Sequence, residues 1–251
     1  MVTAGIDMGS STVKIAVLDG QKIIKLEVVD AASNPLETAE RLLSNGADCP
    51  TVATGYGRDL LEIKHAFPTI TEIKAHALGA RFLFPDCSTV IDIGGQDLKI
   101  ISLDKKGRVA RFEMNDRCSA GTGKFLDVMA RRLGYGLDVF GAAAMQGADG
   151  IVISAMCTVF AESEIIGLLN RGKNPKDIAY ALHKSIAKRI ESMFKRLDPV
   201  PGPVAVTGGG SRNNALIRIL EQTLGMEICV HEHAQAAGAL GCALYAKDIR
   251  N

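Results

Sequence analysis

Two similar segments of the chain each combine an aspartate, a glycine turn and a lysine, and these residue types suit phosphate chemistry. Residues 6–19 recur 85 positions later as residues 91–104, with seven of fourteen positions identical. The identical positions include the aspartates, glycines and lysines: Asp7/Asp92, Gly9/Gly94 and Lys14/Lys99. A plain turn requires only the glycine, whereas backbone N–H groups that point outward together bind phosphate. Two such loops predict a polyphosphate held in a cleft between two similar lobes.

A third glycine corner, Gly208-Gly-Gly210, follows a predicted strand and precedes a predicted helix that begins near Asn213. Taken singly, each corner is better explained as an ordinary turn, because turns favour glycine. At a helix N-terminus, however, this corner suits a nucleoside or a phosphate. The sequence does not match two other nucleotide-binding motifs. Residues 121–124, Gly-Thr-Gly-Lys, lack the spacing of a P-loop, and no glycine triplet has the Rossmann spacing.

The hydrophobic pattern around these corners predicts mixed strands and helices. Val13, Ile15 and Val17 alternate as in a half-buried strand. Apolar residues spaced three and four apart predict a long amphipathic helix over residues 178–197. The other predicted elements are strands at 22–29, 51–54, 204–207 and 227–230, a second β unit at 89–114, and helices at 35–45, 58–65, 72–84, from 213, and 234–246.

Composition excludes several classes of function. The 251 residues suffice for a full core, and 29 Lys+Arg against 28 Asp+Glu leave no basic field for nucleic acid or anionic lipid. The longest mainly apolar stretch, residues 151–161, is too short to cross a bilayer. The first residues are strand-like and lack the features of a secretory leader, which predicts a cytoplasmic protein with no membrane or nucleic-acid partner.

Six cysteines in a chain of this length, in a reducing compartment, do not predict a disulfide framework. Cys118 and Cys157 each lie just before a predicted helix, whose positive end favours a thiolate and any anionic group that it binds. Because a four-iron cubane needs four thiolates, the residues alone leave both a buried thiol and a cluster ligand open for these two. The remaining cysteines suit structural or incidental roles: Cys49, Cys87, Cys229 and Cys242.

Longer strings resemble a known family. Ile6-Asp-Met-Gly-Ser-Ser-Thr12 resembles the first phosphate motif of the actin, sugar-kinase and Hsp70 ATPase superfamily, Ile91-Asp-Ile-Gly-Gly-Gln96 its second, and Val206-Thr-Gly-Gly-Gly210 its adenosine motif. Within that superfamily the chain is similar nearly end to end to the activators of 2-hydroxyacyl-CoA dehydratases. The strings that carry this closer resemblance are Ala53-Thr-Gly-Tyr-Gly-Arg58, Val90-Ile-Asp-Ile-Gly-Gly-Gln-Asp97, Met114-Asn-Asp-Arg-Cys-Ser-Ala-Gly-Thr-Gly-Lys-Phe-Leu-Asp-Val-Met-Ala130, Cys157-Thr-Val-Phe-Ala-Glu-Ser-Glu164 and Gly238-Ala-Leu-Gly241.

The resemblance implies an α/β protein with the two-lobed actin-like ATPase fold, which is ribonuclease H-like, with duplicated β-hairpin units and a nucleotide cleft. Lobe I is expected to span residues 1–88 together with a C-terminal helix at about residues 234–251. Lobe II is expected to span residues 89–233 and to carry the second phosphate loop, Cys118, Cys157 and the adenosine motif.

The resemblance also implies ATP or ADP in the cleft, with Mg²⁺ organised through water by Asp7 and Asp92, since Mg²⁺ keeps much of its hydration shell. Gln96 is the better candidate for ordering the attacking water and Glu162 the weaker one, with a solvated helix face as the alternative. Lys14 and Lys99 also suit plain strand-face charges, although Lys14 is placed to reach a phosphate. The residues expected around the nucleotide are Gly9, Ser10, Ser11, Thr12, Lys14, Gly94, Gly95, Gln96, Gly121, Thr122, Gly123, Gly208, Gly209, Gly210, Asn213 and Gln235.

In the family that the chain resembles, each subunit supplies two cysteines, and one [4Fe-4S] cluster bridges a homodimer. The resemblance assigns that role to Cys118 and Cys157. The implied function is ATP-dependent electron transfer: ferredoxin or flavodoxin supplies an electron, and ATP hydrolysis accompanies its delivery to a partner iron-sulfur dehydratase or reductase.

Other functions remain open. A small-molecule kinase of the same superfamily would use every glycine motif, but it also needs a carboxylate base beside an acceptor pocket, and the sequence offers no convincing one. A nucleotide-switched scaffold or chaperone would be colourless and indifferent to oxygen. Among activators, the acceptor is either a dehydratase, a benzoyl-CoA-type reductase or a double-cubane cluster protein.

Overall fold

The computed structural model describes residues 1–31, 33–44, 49–116, 118, 121–155 and 157–249. Two β-sheets, each covered by helices, contain one copy of the repeat apiece. We call the first sheet and the helices packed on it lobe I, and the second sheet and its helices lobe II. The last residues of two predicted helices, residue 45 and residues 250–251, lie outside the described residues.

The sheet of lobe I has the first repeat at its centre. Its strands are β1 (Val2–Met8), β2 (Thr12–Asp19), β3 (Lys22–Asp30) and β4 (Thr51–Thr54), in the order β3-β2-β1-β4. The first three are antiparallel neighbours, and β4 pairs with β1 in parallel. A parallel pair needs a crossover connection, and α1 (Pro35–Ser44) belongs to it.

The sheet of lobe II repeats this plan and adds an edge strand. Its strands are β5 (Thr89–Ile93), β6 (Leu98–Leu103), β7 (Val109–Asn115), β8 (Val204–Thr207) and β9 (Ile228–Cys229), in the order β7-β6-β5-β8-β9. β8 pairs with β5 in parallel, as β4 pairs with β1. The two sheets therefore share four strands of the same order and direction.

The repeat also holds at the level of single residues. In each copy the aspartate pairs with the lysine across the hairpin: Asp7 with Lys14 and Asp92 with Lys99. The pairing of the next two strands shifts register at the same place: between Val17 and Leu18, and between Ser102 and Leu103. Because a slip of one residue turns every side chain to the other face, a shared bulge shows that both hairpins present equivalent side chains to their surroundings.

Helices account for most of the remaining chain. They are α2 (Arg58–His65), α3 (Glu72–Leu83), α4 (Gly123–Arg132), α5 (Leu137–Ala144), α6 (Thr158–Asn170), α7 (Pro175–Leu197), α8 (Asn214–Leu224) and α9 (Ala237–Asp248). Short 3₁₀ turns, Gly209–Arg212 and Ala234–Ala236, precede α8 and α9. None of the described helices is both long and apolar enough to span a membrane.

The predicted amphipathic helix is α7, and local sequence explains its start. The side chain of Asn174 accepts a hydrogen bond from the backbone N–H of Lys176 at 3.0 Å, and Pro175 occupies the first turn, where a missing N–H costs little. The predicted apolar stripe is buried: Ile178, Leu182, Ile186, Ile190, Met193 and Leu197. This stripe forms much of the core of lobe II.

Helices α3 and α9 pack so closely that their backbones touch, and this contact attaches α3 to lobe I. A Cβ atom on Gly79 would lie 1.8 Å from a backbone oxygen of α9, and one on Gly241 would lie 1.8 Å from a backbone oxygen of α3. Gly5 of β1 allows α9 a similar approach to the sheet, since its Cβ would lie 2.1 Å from the helix backbone. α3 leads directly into β5, so it joins the two lobes.

Substituting Gly241 by alanine tests this contact. The added methyl group must push two helix backbones apart, so Gly241→Ala is expected to lower the free energy of unfolding by about 1–3 kcal/mol in denaturant titrations. Gly167→Ala in α6 is the matched control, because the nearest atom to its Cβ is the Arg171 guanidinium at 3.6 Å. This control is expected to be more stable by about 0.5–1 kcal/mol. An unchanged stability of Gly241→Ala would contradict the close packing.

Candidate functional site

A cleft of about 1730 Å³ lies where the central strands of the two sheets end. Both hairpin turns and the third glycine corner line it, so the structure brings the three corners together. The predicted residues among its lining are Asp7, Gly9, Ser10, Ser11, Thr12, Lys14, Asp92, Gly94, Gly95, Gln96, Gly123, Gly208, Gly209, Gly210, Asn213 and Gln235.

The two hairpin turns have the same geometry and meet each other. Gly9 N–H donates to the carbonyl of Thr12 at 3.1 Å, and Gly94 N–H donates to the carbonyl of Asp97 at 3.0 Å. A Cβ atom on Gly95 would lie only 2.3 Å from the Ser11 hydroxyl of the other turn. An anion bound at this junction therefore lies within reach of both lobes.

Helix α4 begins on the second turn. The backbone N–H groups of Gly123 and Lys124 donate to the carbonyls of Gly94 and Gly95, each at 2.9 Å. The N-terminus of α4 is the positive end of its dipole, and it lies beside the turn. This arrangement favours phosphate binding and makes the position of α4 depend on the position of the turn.

The two aspartates end β1 and β5, and both are almost fully buried. Asp7 pairs with Lys14 at 3.0 Å. Asp92 accepts from the Thr207 hydroxyl at 2.9 Å and lies 3.1 Å from His76 Nδ1. Burial alone would raise the pKa of Asp92, but His76 and Lys99 hold that pKa well below its usual range. Asp92 therefore stays ionised beside the cleft.

The two repeat lysines differ in their surroundings. Lys99 is 1% exposed, and its ammonium contacts three carboxylates: Glu72 at 2.7 Å, Asp97 at 2.8 Å and Asp92 at 3.4 Å. Burial lowers its pKa, but these carboxylates outweigh burial and raise the pKa of Lys99 above its usual value. Both lysines line the cleft, but the side chain of Lys14 is 13% exposed and that of Lys99 only 2%. Lys14 is thus the repeat lysine placed to reach a ligand, whereas Lys99 is a structural cation.

His76 is a cleft residue that the sequence analysis missed. It lies on α3, four residues after Glu72, and the two side chains contact lobe II: His76 contacts Asp92 and Glu72 contacts Lys99. Burial disfavours the imidazolium, yet the Asp92 carboxylate outweighs burial and raises the pKa of His76. The available signal was a Glu and a His four residues apart in a helix otherwise rich in buried alanine.

The duplication also extends to a loop that the sequence analysis assigned no role. Gly55 follows β4 as Gly208 follows β8, with φ of +97° and +77°. A Cβ atom on either glycine would lie 2.7 Å from Oδ1 of the aspartate in its own lobe. Tyr56 and Arg58 follow Gly55 and line the cleft. The shared Thr-Gly-x-Gly pattern at residues 54–57 and 207–210 was the signal.

On the side predicted for adenosine, Asn213 is engaged within the protein. Its Oδ1 accepts from the N–H of Leu216 at 3.0 Å and caps α8, and its Nδ2 lies 2.9 Å from Nε2 of His183. Burial lowers the pKa of His183, so the ring is neutral and accepts this bond, while its Nδ1 donates to the carbonyl of Ala179 at 2.8 Å. Asn213 therefore shapes the wall of the cleft and the start of α8.

The structure does not bring every predicted residue to the cleft. Gln96 is exposed at the second turn and lines the cleft, but Glu162 lies outside the lining and pairs with Arg132 at 3.3 Å. Thr122 is fully buried, and neither Thr122 nor Gly121 lines the cleft. Glu162 thus connects α6 to α4 in this structure.

Cys118 and Cys157 lie near the starts of α4 and α6. Cys157 is exposed and is the N-cap residue of α6, and Cys118 is half-buried, with its carbonyl accepting from Asn115 Nδ2 at 2.8 Å. Cys87 is buried, and burial raises the pKa of its thiol to about 11. Among the described residues, no group of three or more His, Cys, Asp or Glu side chains is placed to hold a metal ion.

The difference between the two lysines predicts different losses of stability. Lys99→Met would leave Glu72, Asp97 and Asp92 together without their cation, so it is expected to lower the free energy of unfolding by about 3–5 kcal/mol. Lys14→Met removes the partner of one carboxylate at an open cleft, so its loss should be smaller. Chemical denaturation of both variants measures this difference. Equal losses would contradict the distinction between a structural and a ligand-facing lysine.

Comparison with known proteins finds relatives along nearly the whole chain. The model of the BadF/BadG/BcrA/BcrD ATPase family matches residues 4–246. The (R)-2-hydroxyglutaryl-CoA dehydratase activating ATPase of Acidaminococcus fermentans is 41% identical over 253 residues, which are 97% of this chain and 96% of that protein. The crystal structure of component A of that dehydratase superposes with a TM-score of 0.93 at 38% identity and covers all of both chains.

A second similar structure holds a nucleotide analogue. The activator of 2-hydroxyisocaproyl-CoA dehydratase from Clostridium difficile, solved with bound ADPNP, has a TM-score of 0.90 at 39% identity and covers 99% of this chain and 95% of that one. A ROK family glucokinase from Streptomyces griseus, 14% identical with a TM-score of 0.62 over 99% of this chain and all of its own, shares the fold alone. These matches confirm the predicted two-lobed actin-like fold. The chain belongs to the BadF/BadG/BcrA/BcrD ATPase family.

Proposed function

We propose that this chain is an ATP-dependent electron-transfer activator of a 2-hydroxyacyl-CoA dehydratase or a related iron-sulfur enzyme. The observation that carries the proposal is the pair of backbone hydrogen bonds that join the second phosphate turn to α4, the first helix after Cys118. The similarity of the whole chain to dehydratase-activating ATPases supports it. A change at the nucleotide is thereby connected to the region that bears a cluster ligand.

ATP or ADP binds in the cleft with its phosphates at the junction of the two turns. Backbone N–H groups of residues 9–12 and 94–96, the N-terminus of α4 and the Lys14 ammonium supply positive charge to the phosphates. The adenosine lies toward Gly208, Gly209 and Gly210, beside the wall that Asn213 and Gln235 form.

Asp7 and Asp92 line the cleft from the two lobes and suit Mg²⁺. Hard oxygen ligands fit this ion, which would keep several waters and would neutralise charge on the phosphates. We assign both carboxylates to its water shell. Gln96 is the exposed amide at the second turn, and we assign it the positioning of the attacking water.

Cys118 and Cys157 fit the two ligands that each subunit gives to a [4Fe-4S] cluster in a homodimer. The Cys157 thiol is exposed at the N-terminus of α6, where the helix dipole favours a thiolate and an anionic group bound to it. Glu164 holds the segment before Cys157 in place, because its carboxylate accepts from the N–H groups of Ser154 and Ala155 at 3.1 Å and 2.9 Å. The cluster, when bound, supplies a one-electron centre of low potential.

Helices α4 and α6 connect the cleft to the regions that contain the two cysteines. α4 begins on the second turn, and its inner face packs in the same core as Ala161 and Ile165 of α6. Arg132 and Glu162 add an ion pair between the two helices. Movement of the turn between nucleotide states therefore shifts α4 and, through the core, the helix that Cys157 caps. Ferredoxin or flavodoxin is the proposed donor, and an iron-sulfur dehydratase or reductase the acceptor.

Substitution of either cysteine tests cluster and dimer together. With two ligands per subunit, Cys118→Ala and Cys157→Ala are each expected to lose the iron chromophore and to weaken or abolish the dimer. Anaerobic purification, absorbance, EPR and size-exclusion chromatography measure both effects. Cys49→Ala is the control, and it should keep both the iron chromophore and the dimer. A four-iron spectrum from a strictly monomeric protein would show that the ligands come from elsewhere.

Coupling between the cleft and the cluster is tested by chelation. Because α4 follows the phosphate turn, iron removal by a chelator should proceed at different rates in the ADP-bound and ATP-bound protein. Reductant with ATP should also deliver electrons to the acceptor where reductant alone does not. Equal chelation rates together with ATP-independent delivery would overturn the proposal. A colourless protein that transfers phosphate to an added sugar or pantothenate-like substrate would instead identify a kinase.

A further inference from the structure

His76 is the side chain through which lobe I reaches the aspartate of lobe II. It is buried on α3, which is fastened to α9 and thus to lobe I by the glycine contacts at Gly79 and Gly241. Its Nδ1 lies 3.1 Å from Asp92 Oδ1. The orientation of the Asp92 carboxylate therefore depends on a helix of the opposite lobe.

The other side of the same ring faces the aspartate of lobe I. The point where a Cβ of Gly238 would stand lies 3.1 Å from His76 Nε2 and 2.9 Å from Asp7 Oδ2. Both atoms thus border one small space, and a residue larger than glycine at position 238 would fill it. The imidazole lies between the two carboxylates that face the cleft.

Thr207 completes the contact on the side of Asp92. Its hydroxyl donates to Asp92 Oδ1 at 2.9 Å and lies 3.4 Å from His76 Nδ1. Nδ1 must carry a proton to donate to the same oxygen, so Asp92 Oδ1 accepts from two buried donors. Thr54, at the equivalent place in lobe I, donates instead to the carbonyl of Ile70 at 2.9 Å. The arrangement at Asp92 is therefore particular to lobe II.

We propose that His76 is a positioning residue for ATP hydrolysis: its Nδ1–H holds the Asp92 carboxylate, and its ring sets the separation of Asp92 and Asp7 across the cleft. This inference rests on the proposed role of the two aspartates at Mg²⁺. His76 acts through Asp92 and makes the hydrolytic arrangement depend on the relative position of the lobes. Partners that orient a metal-site carboxylate typically contribute 10- to 100-fold to activity or metal affinity.

Two isosteric substitutions separate the nitrogens of the ring. His76→Asn can place an amide N–H near the position of Nδ1, whereas His76→Gln can place one near Nε2 and loses the donor to Asp92. We expect His76→Gln to lower kcat about 10- to 100-fold, to raise the Mg²⁺ concentration for half-maximal turnover, and to leave KM for ATP nearly unchanged. His76→Asn should restore most of kcat.

A matched pair of threonine variants supplies a second test that leaves the histidine intact. Thr207→Val and Thr54→Val each remove one buried hydroxyl from equivalent strand ends. Thr207→Val should lower kcat in the same direction as His76→Gln, because it also loosens Asp92. Thr54→Val should affect only thermal stability.

The outcomes are distinguishable. Asp92→Ala is measured alongside, and if it retains full turnover, the proposed Mg²⁺ site fails and the role of His76 fails with it. If Asp92→Ala is inactive while His76→Gln keeps the kcat and Mg²⁺ dependence of the unsubstituted protein, only the role of His76 is overturned. Equal losses in His76→Asn and His76→Gln that parallel their losses of melting temperature would also overturn it. The predicted order, Asn above Gln in kcat at unchanged KM, supports it.

Discussion

The arrangement of the two lobes depends on the burial of one ionised carboxylate, that of Asp92. Removing a carboxylate from water costs several kcal/mol, and the cost is offset only where opposite charge and hydrogen bonds are both supplied. Asp92 receives them from three elements: Lys99 on β6, Thr207 on β8 and His76 on α3. Because Thr207 lies 115 residues after Asp92 and α3 belongs to the other lobe, one carboxylate fixes the relative positions of elements that are distant in sequence or lie in different lobes. These elements form the part of the cleft that contains Asp92.

The duplicated hairpin has kept its backbone and changed its side-chain partners. Asp7 pairs with Lys14, and Thr54, the counterpart of Thr207, bonds to a loop carbonyl instead. In lobe II the equivalent lysine is enclosed by carboxylates, and its side chain is 2% exposed against 13% for Lys14. The lysine of lobe I is thus the more accessible of the two, whereas the lysine of lobe II is held by carboxylates of its surroundings.

Local signals in the sequence predicted the fold well. The repeat predicted both hairpins, apolar spacing predicted α7, and strands followed by glycine predicted the three corners that line the cleft. Contacts between distant segments were not predictable in this way. The sequence predicts the helix that carries His76 but cannot name Asp92 as its partner, and nothing local reveals that Gly79 and Gly241 allow two helix backbones to touch. Asn213 illustrates the same limit: its position beside a glycine corner suggested a ligand contact, while its amide caps α8 and bonds to a histidine on α7.

The contacts that connect the cleft to α4 and α6 set the free energy with which the proposed coupling can act. Two backbone hydrogen bonds join the second turn to α4, and each contributes about 1 kcal/mol net. The Arg132–Glu162 pair is partly exposed on both sides, so solvent screening leaves it about 0–1 kcal/mol. The proposed coupling of α4 to α6 therefore depends mainly on the buried face that they share in the core, since close-packed side chains shift together and do not deform freely. A total of about 1–3 kcal/mol is the usual range of coupling between two sites, enough to change populations 5- to 150-fold. In the proposed function, nucleotide exchange at such a turn would bias the arrangement of α4 and α6 without locking it, so each state would remain accessible for the next step of a cycle.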